Sequence, residues 1–530
     1  MDTGGAIFWF VVITCISGLV VSAIRLRRAA AGWISLYVGI LLVAGAGKAL
    51  NSNILINCSL GTWLLLVLAP ALLSRAYYKS FLQQRYAKAE QLARFISWLH
   101  PADGWPQQPE ILRALELARR GEITEAQDIL ARFKGTRSTL GLAAVTNLFR
   151  ITNQWEELLE WQKFHVPNPA KHPALLPVLM RAFGETGDLR GMIAVYDRNK
   201  QRISKMVPAS ARDLCRLILF AFCGRQAAVA QLLEGNLAIL PPSAQQFWLA
   251  TAEQAAGNTE AARQKFEALL PVTEPAVRSS IERRLSRLSS VPQPLPAEDT
   301  AVLDDAEREH GHDEQFGAAR SLFSRRAWAT QLLIAVNVVM FLIETRLGGT
   351  MNPETLYRLG ALFPPAVHAG QVWRLGSSLF LHMGTAHLVM NMFALWVLGP
   401  FMEFALGPGR YLVLYLISGI GSMGTVILLA SGQRAEQITI GASGCIMGLV
   451  GATGALMLRA WRRHKVSTAK RRLLATAVII LMQTTFDSLI PQVSMTAHLS
   501  GALIGFVVML VISDRLTSSL SQSKPAANAE

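Results

Sequence analysis

Long apolar runs constrain the fold of this 530-residue chain more than any other feature of its sequence. A helix needs about 20 predominantly apolar residues to cross the hydrocarbon core of a bilayer. Only 16% of the residues are charged, against about 25% in typical soluble domains. Runs that approach the required length lie near residues 6–24, 31–48, 54–73, 327–346, 379–399, 410–431, 440–458, 473–490 and 494–513. The sequence therefore predicts an all-α polytopic membrane protein with nine transmembrane helices and a soluble insert.

The distribution of positive charge indicates the topology of these helices. A formal net charge of +15 could by itself indicate a nucleic-acid partner. The basic residues, however, cluster beside the apolar runs, at 25–28, 75–79, 325–326 and 459–472. This is the pattern that the positive-inside rule produces, so we expect no nucleic-acid partner. It predicts that the N-terminus lies outside, whereas the soluble insert and the C-terminus lie inside.

The first apolar run predicts an uncleaved signal anchor. No basic residue precedes it, and its positive charges follow it instead. We therefore expect a multi-pass integral membrane protein in contact with the lipid bilayer. The arrangement fits a bacterial inner membrane with a cytoplasmic insert, and an organelle membrane is left open as an alternative.

The five cysteines are scattered along the chain, and no two of them have the spacing of metal ligands. The sequence therefore predicts neither a disulfide framework nor a zinc site, and it gives no sign of a cofactor. Cys445 follows a serine motif closely, and we interpret it as a small buried apolar residue.

Residues 80–290 predict a soluble stack of helical hairpins. Breaks between helices recur at 121–122, 153–154, 187–188, 224–225 and 257–258, and their spacings are 32, 34, 37 and 33 residues. A period of about 34 residues is typical of tetratricopeptide repeats. We interpret the region as a tetratricopeptide-like solenoid, with an ordinary all-α domain as the alternative. Such a stack usually offers a concave surface to a protein or peptide partner.

Composition sets the remaining boundaries. Residues 1–79 form the N-terminal membrane region, with about three transmembrane helices. Residues 291–324 are expected to be a flexible linker, because prolines and a run of acidic residues give them low hydrophobicity. Residues 325–515 form a membrane core of six helices. Residues 516–530 are expected to be a disordered tail.

Five polar residues inside the apolar runs of this core predict chemistry, because ionisable groups are expensive in hydrocarbon. Ser443 and His498 each lie about three to five positions inside a run that begins on the outer side, which corresponds to roughly 5–8 Å along the helix axis. His382, His387 and Asn391 lie in a third run that begins on the same side. A serine nucleophile needs a base within hydrogen-bond reach. We therefore predict serine-nucleophile chemistry within the membrane.

Close approach of two helices is a condition for this chemistry, and the sequence provides for it. Gly501 and Gly505 share a helical face with His498, while Gly451 and Gly454 share one with Ser443. Small residues at such positions let membrane helices pack tightly. The Asn391 amide, His387 on the same face and the Ser443 N–H could donate hydrogen bonds to an oxyanion.

Each element also has a structural interpretation. Glycine and serine are common in membrane helices for packing alone, and a lone intramembrane histidine often serves as a hydrogen-bonding or proton-relay group. His382 and His387 could ligate a metal ion, but their spacing puts them on different helical faces and no third ligand is evident. The complete set at one depth favours a catalytic site.

Residues from about 325 to 513 resemble a rhomboid intramembrane serine protease. The matching motifs are Trp373-Arg374, His382-x4-His387-x3-Asn391, Gly441-Ala442-Ser443-Gly444 and Ala497-His498-x2-Gly501-x3-Gly505. The resemblance covers just over a third of the chain, and it implies a fold with a six-helix core. It also implies an endopeptidase that cleaves transmembrane segments of membrane proteins near the extracytoplasmic interface.

The resemblance further implies roles for individual residues. Ser443 and His498 would form a catalytic dyad without an aspartate as a third member. Asn391 and His387 would serve the oxyanion hole, and His382 would support the site and its water. Trp373 and Arg374 would belong to a half-submerged loop over residues 348–378.

Two other functions compete with proteolysis. The first is a non-catalytic rhomboid-like scaffold that binds membrane clients, against which the presence of Ser443, His498 and Asn391 argues. The second is a transporter with a histidine proton relay, which does not require the Gly-x-Ser-Gly turn.

Overall fold

The structure is a computed structural model that describes residues 3–26, 31–102, 104–135, 138–206, 208–272, 274–286, 294–316, 327–430, 437–464, 467–489 and 494–512. The regular structure of these residues is helical, and their one β-type pairing is an isolated antiparallel bridge between Leu362 and Thr439. The expected all-α class is therefore confirmed. The chain divides into two compact units: an N-terminal unit, Phe10–His310, and a C-terminal unit, Met1–Trp9 with Gly311–Glu530.

Apolar helices begin the chain: α1 (Thr3–Leu26), α2 (Ala31–Ala49), α3 (Asn53–Trp63), a π-helical segment (Leu64–Leu68) and α4 (Ala69–Leu82). The last three form one continuous apolar helix of 30 residues, Asn53–Leu82. It runs past residue 73, where the third span was expected to end. It also runs through the expected boundary between residues 79 and 80. Helix α5 (Tyr86–Leu99) follows.

Five pairs of helices make up most of the rest of the N-terminal unit. They are α6 (Gln108–Arg120) with α7 (Ile123–Ala131), α8 (Thr139–Ile151) with α9 (Trp155–His165), α10 (Leu176–Thr186) with α11 (Leu189–Ile203), α12 (Ala209–Phe222) with α13 (Gln226–Glu234), and α14 (Pro242–Ala255) with α15 (Thr259–Leu269). Short 3₁₀ helices cover Trp105–Gln107, Pro169–Lys171, Pro173–Leu175 and Leu270–Val272, and α16 (Pro275–Ser286) follows the pairs.

Every break that the sequence predicted is a turn between the two helices of a pair. Each turn contains a residue with positive φ: Gly121, Asn153, Gly187, Gly224 and Gly257. Four of the five are glycines, which adopt this conformation without a steric penalty. The first helices of successive pairs pack against each other, α10 against α12 and α12 against α14. The hairpin pattern is therefore confirmed, while its assignment to the tetratricopeptide class stays a prediction.

The expected flexible linker is wrong for residues 297–316, which form helix α17 (Ala297–Phe316). Leu303 and Ala306 are buried in the hydrophobic core of the N-terminal unit. The acidic residues that indicated disorder form ion pairs with distant basic residues of the same unit. These are Glu298 and Asp299 with Arg190, Asp304 and Glu307 with Arg225, Asp305 with Lys200, and Glu309 with Arg216. Residues 287–293, 317–326 and the expected tail 516–530 lie outside the described residues.

The C-terminal unit continues with α18 (Trp328–Arg346), the short helices α19 (Pro353–Arg358), α20 (Pro364–His368) and α21 (Arg374–Ser377), and a 3₁₀ turn (Ser378–Phe380). The long helices α22 (Thr385–Leu406), α23 (Pro408–Leu429), α24 (Ser443–His464), α25 (Ser467–Leu489) and α26 (Met495–Val511) complete it. Helix α22 begins at Thr385 rather than near residue 379, because Gly384 with φ of 84° precedes it. His382 therefore lies in the loop before the helix, whereas the sequence predicted that it lies within a span.

Six helices of the described chain are long and apolar enough to cross a membrane: Ala31–Ala49, Asn53–Leu82, Trp328–Arg346, Thr385–Leu406, Pro408–Leu429 and Ser443–Arg463. Shorter apolar segments include Ile7–Leu19 and Met495–Val511. Helix α25 has 23 residues and covers most of the run 473–490 where the sequence predicted a span. The protein is a multi-pass integral membrane protein.

Candidate active site

Ser443 is the first residue of α24, and a tight turn at Gly441 precedes it. Gly441 has φ of 123°, and its N–H donates a hydrogen bond to the carbonyl oxygen of Ser378 at 2.9 Å. A Cβ at this position would lie 2.9 Å from the ring of His387. Glycine is therefore needed here both for the backbone conformation and for space. Ser443 itself is half-buried.

His387 and Asn391 contact this turn from α22. They lie four residues apart and share one face of the helix. The Asn391 amide nitrogen lies 3.8 Å from the place of a Cβ on Gly441, and it has no hydrogen-bond partner among the described residues. Most buried polar groups are hydrogen-bonded, so a buried amide donor without a partner is unusual. The arrangement leaves one donor beside Ser443 for an oxygen that becomes negatively charged.

His382 lies behind His387 in the loop before α22. It is completely buried, and its ring centroid is 5.2 Å from that of His387 in an edge-to-face arrangement. Its backbone N–H donates to a carboxylate oxygen of the buried Glu344 on α18 at 3.1 Å. In the described part of the chain, no group of three or more His, Cys, Asp or Glu side chains is placed to hold a metal ion.

Glycines bring α24 and α26 into direct backbone contact. A Cβ on Gly501 would overlap the carbonyl oxygen of Gly444, and a Cβ on Gly505 would overlap that of Gly448. Gly451 likewise contacts the backbone of Ala502, so glycines on both helices contribute to the interface. Small residues at such positions let the backbones of membrane helices approach closely. Since Gly444 follows Ser443 directly and Gly501 lies three residues after His498, the contact extends along the predicted site.

His498 is held by hydrogen bonds at Nδ1. Asp487 Oδ2 lies 2.8 Å from this nitrogen, and the Gln483 amide nitrogen lies 3.2 Å from it. Gln483 also donates to Asp487 Oδ1 at 2.8 Å. Both partners come from α25, and both Asp487 and His498 are buried. The resemblance implied a dyad without an aspartate, and the structure places a carboxylate in direct contact with the histidine ring.

Sequence reasoning missed Asp487, although a signal was present. The residue lies within a run that was predicted to span the membrane, where an ionisable side chain by default suggests function. The partner of such a residue is not readable from spacing alone, because Asp487 and His498 lie on different helices.

Ser443 and His498 are not hydrogen-bonded to each other in this structure. The hydrogen bonds of His498 to described side chains all involve Nδ1, and none reaches the hydroxyl of Ser443. Catalytic hydrogen bonds are often long in the absence of substrate and shorten in the reacting complex. The turn at Ser443, the donors on α22 and the histidine on α26 nevertheless lie at adjoining ends of three packed helices.

Arg374 has a structural role within the loop of residues 348–378. Its guanidinium group donates to the carbonyl oxygens of Tyr357 at 2.7 Å and Ala361 at 3.0 Å, and to the Gln371 side chain at 2.7 Å. It also lies over the Tyr357 ring, 4.1 Å from the centroid. Trp373 beside it is 52% exposed. Arg374 therefore holds the loop together and does not contact the candidate site.

Comparison with known proteins identifies the part of the chain that carries this arrangement. The profile of the rhomboid domain matches residues 369–515. The protein is 34% identical over 180 residues to the rhomboid protease GluP of Bacillus subtilis. The aligned segment covers 33% of this chain and 33% of the relative. It is 34% identical over 169 residues to RHOMBOID-like protein 5 of Arabidopsis thaliana, which covers 32% of this chain and 53% of the relative. The chain thus spans about a third to a half of the length of these two relatives.

A third relative is covered over most of its length. The chain is 30% identical over 155 residues to YdcA of Bacillus subtilis, which is provisionally named a rhomboid protease. The match covers 29% of this chain and 71% of the relative.

Proposed function

The chain belongs to the rhomboid family, and we propose that it is a serine endopeptidase that cleaves transmembrane segments of membrane proteins near the extracytoplasmic interface. The observation that carries this proposal is the direct contact of α24 and α26 at Gly444 and Gly501, next to Ser443 and His498. A second support is the donor of Asn391 beside the same turn.

The proposed reaction is acyl transfer to Ser443. His498 takes the proton of the Ser443 hydroxyl, whose oxygen attacks the carbonyl carbon of the scissile bond. The Asn391 amide, His387 and the Ser443 N–H stabilise the oxyanion that forms. His498 then protonates the leaving amine, and water hydrolyses the acyl-enzyme with His498 as the base. His382, buried beside His387, supports the ring in its place.

The substrate must expose a peptide bond that a membrane helix normally hides. In lipid, the backbone of a transmembrane segment is held in helical hydrogen bonds. We therefore propose substrates with glycine, proline or polar residues near the cleaved bond, because these residues weaken the helix locally. Such a segment can unwind at the outer interface and reach Ser443.

For the remaining regions we propose a supporting role. The helical pairs of residues 80–290 form a tetratricopeptide-like stack that recruits a protein or peptide partner, or the substrate itself. The charge pattern favours a bacterial inner membrane with this stack in the cytoplasm.

The test uses the full-length protein in vesicles with a model single-span substrate. We expect Ser443→Ala and His498→Ala to abolish cleavage, and Asn391→Ala to lower the rate by roughly 10- to 1000-fold, the range for a deleted oxyanion donor. Ser500→Ala is the matched control, because its hydroxyl bonds to the carbonyl oxygen of Thr496 within its own helix. This control should cleave like the parent.

A serine-directed fluorophosphonate probe separates the enzyme from the scaffold. A catalytic protein should be labelled at Ser443, and the label should be lost in Ser443→Ala. If the parent protein neither cleaves nor reacts, the non-catalytic scaffold replaces the protease as the better explanation.

A further inference from the structure

Asp487 is a buried carboxylate that the dyad mechanism does not use. Its side chain has no exposed surface and lies on α25, opposite the histidine of α26. Burying a carboxylate in such a place is unfavourable unless it is paired and hydrogen-bonded. Its two oxygens are both engaged, Oδ2 by His498 at 2.8 Å and Oδ1 by Gln483 at 2.8 Å.

We propose that Asp487 is a positioning residue that fixes the tautomer and orientation of His498, so that the site works as a Ser443–His498–Asp487 triad. This inference rests on the proposed protease function and deepens it. Asp487 does not touch the reacting atoms, since it acts through the histidine ring.

The chemistry of the contact decides where the histidine proton lies. A carboxylate only accepts hydrogen bonds, so the ring nitrogen 2.8 Å from Asp487 Oδ2 must carry the proton. Nδ1 is then the donor, and Nε2 keeps its lone pair. This is the tautomer in which Nε2 can take a proton from a serine hydroxyl. When it does so, the positive ring stays beside the negative carboxylate.

Gln483 fixes the carboxylate in turn. It lies four residues before Asp487 on α25, so the two side chains share a helical face. Its NH₂ group donates to Oδ1 and thereby turns Oδ2 towards the ring. The same amide nitrogen lies 3.2 Å from Nδ1, but it cannot donate there while Nδ1 carries its own proton. Gln483, Asp487 and His498 therefore form a chain of two hydrogen bonds, in which the first orients the carboxylate and the second orients the ring.

This chain of hydrogen bonds predicts the effect of the nearly isosteric substitution Asp487→Asn. In Asp487→Asn, Gln483 donates best to the amide oxygen, and this leaves the amide NH₂ group facing Nδ1. An NH₂ group needs an acceptor, so the histidine proton should move to Nε2, and the base is lost. We expect kcat to fall about 10²- to 10⁴-fold, as for wrong-tautomer variants of a serine protease triad. KM should change little, because the substrate site is untouched.

A second substitution separates positioning from a merely structural role. In Asp487→Asn with Gln483→Ala, nothing holds the amide oxygen away from the ring, and it can rotate to accept from Nδ1–H. We expect kcat to recover roughly 3- to 100-fold over Asp487→Asn alone, the range of coupling between contacting residues. A structural role predicts the opposite, since removal of both polar side chains should do more damage than removal of one charge.

The experiment measures kcat and KM of the full-length parent, both variants and the control Thr485→Val in vesicles, and the protonated ring nitrogen of ¹⁵N-histidine-labelled protein by NMR. Thr485 is an exposed neighbour whose hydroxyl bonds to the carbonyl oxygen of Leu481 within α25, so its loss should leave kcat unchanged. The thermal unfolding midpoint of each variant shows that it is folded.

The expected result is a proton on Nδ1 in the parent and on Nε2 in Asp487→Asn, with the loss and partial recovery of kcat described above. A parent that cleaves through Ser443 while Asp487→Asn keeps its kcat would overturn this inference and leave the protease proposal intact. A parent with its proton on Nε2 overturns the inference whether or not cleavage is observed. Loss of the Ser443 requirement, by contrast, overturns the protease proposal itself.

Discussion

The two units of this protein join their helices by contrasting means. In the C-terminal unit, α24 and α26 meet backbone to backbone, because Gly444, Gly448, Gly501 and Gly505 leave no side chain between them. In the N-terminal unit, the helical pairs meet through large aromatic side chains and buried ion pairs. In lipid, the hydrophobic effect does not drive helices to associate, so the association energy has to come from close packing. The helical pairs instead bury large apolar surfaces, which is favourable in water.

Buried charge is also used differently in the two units. Glu185 on α10 pairs with Arg181 at 3.2 Å and Arg284 at 3.1 Å, and the guanidinium group of Arg181 lies over the ring of Trp155. One carboxylate therefore pairs with two guanidinium groups inside the helical stack. In the C-terminal unit, the buried carboxylate of Asp487 lies 2.8 Å from Nδ1 of His498 in the candidate site. Glu185 thus holds helices of the stack together, whereas Asp487 contacts an ionisable ring of the candidate site.

The largest effect is expected from a substitution that disrupts the glycine contact between α24 and α26. In Gly501→Val, the new side chain would overlap the backbone of Gly444, which cannot move without separating α24 from α26. Overpacking usually costs about 1–3 kcal/mol, and a clash with backbone lies at or above the upper end of that range. We expect cleavage to fall below detection and the unfolding midpoint to drop, as measured in vesicles and by thermal unfolding.

Gly424→Val on α23 is the matched control, because a Cβ there has no neighbour within 4 Å. It should retain activity and stability close to the parent. Equal activity of the two variants would contradict the close contact of α24 and α26.

The second effect tests the charge network of the N-terminal unit. Glu185→Gln leaves Arg181 and Arg284 without their carboxylate, and removal of one partner of a buried pair costs about 3–5 kcal/mol. The measurement is the hydrogen exchange of the amides of α10 in the full-length protein. Glu160→Gln is the control, since its pair with Lys163 is exposed and its loss should change stability by less than about 0.5 kcal/mol.

The same carboxylate predicts a dependence on pH. Burial alone would raise the pKa of Glu185, but the charges of Arg284 and Arg181 and their hydrogen bonds outweigh it and hold the pKa below its usual range. A lowered pKa means that the folded state favours the ionised form. The stabilisation is therefore present above the ordinary pKa of about 4.3 and is lost as the pH falls towards the lower value of the folded state. In Glu185→Gln this acid sensitivity should be reduced.

The smallest effect concerns the surface pairs of α17. Arg190 contacts Glu298 at 2.8 Å and Asp299 at 3.2 Å, but its side chain is 66% exposed. Exposed pairs contribute about 0–1 kcal/mol, so Arg190→Ala should raise the hydrogen exchange of α17 only slightly. Salt at about 0.5 M should produce a similar rise in the parent by screening. Leu303→Ala, which removes a buried side chain of the same helix, should have the larger effect and calibrates the measurement. Complete opening of α17 in Arg190→Ala would show that charge rather than burial holds it.

Much of the fold was readable because local chemistry determines it. The turns between the helical pairs were predicted from glycine and asparagine residues, and Gly121 and Asn153 have the positive φ that those residue types tolerate. The glycine interface was predicted in part. Gly501 and Gly505 contact α24 as expected, whereas Gly454 lies nearest to Thr476 on α25.

Two of the errors share one physical cause, which is a charged partner on another helix. The acidic run of α17 was interpreted as a flexible linker, because its composition does not reveal that Arg190, Lys200 and Arg225 neutralise it. Asp487 was missed for a similar reason, since the histidine that it contacts lies on the next helix. Composition alone therefore cannot distinguish acidic residues that are ion-paired in the folded protein from acidic residues that are exposed to solvent.

The position of Asp487 and His498 on the last two helices has a consequence for biosynthesis. Domains and helices leave the ribosome in order from the N-terminus, so α24 with its serine is inserted before α25 and α26. A nascent chain at that stage lacks His498, the base of the proposed mechanism, although His382 and His387 are already present. Under the proposed mechanism, neighbouring membrane segments are cleaved only after α26 has docked, and we expect a chain truncated before Met495 to be inactive.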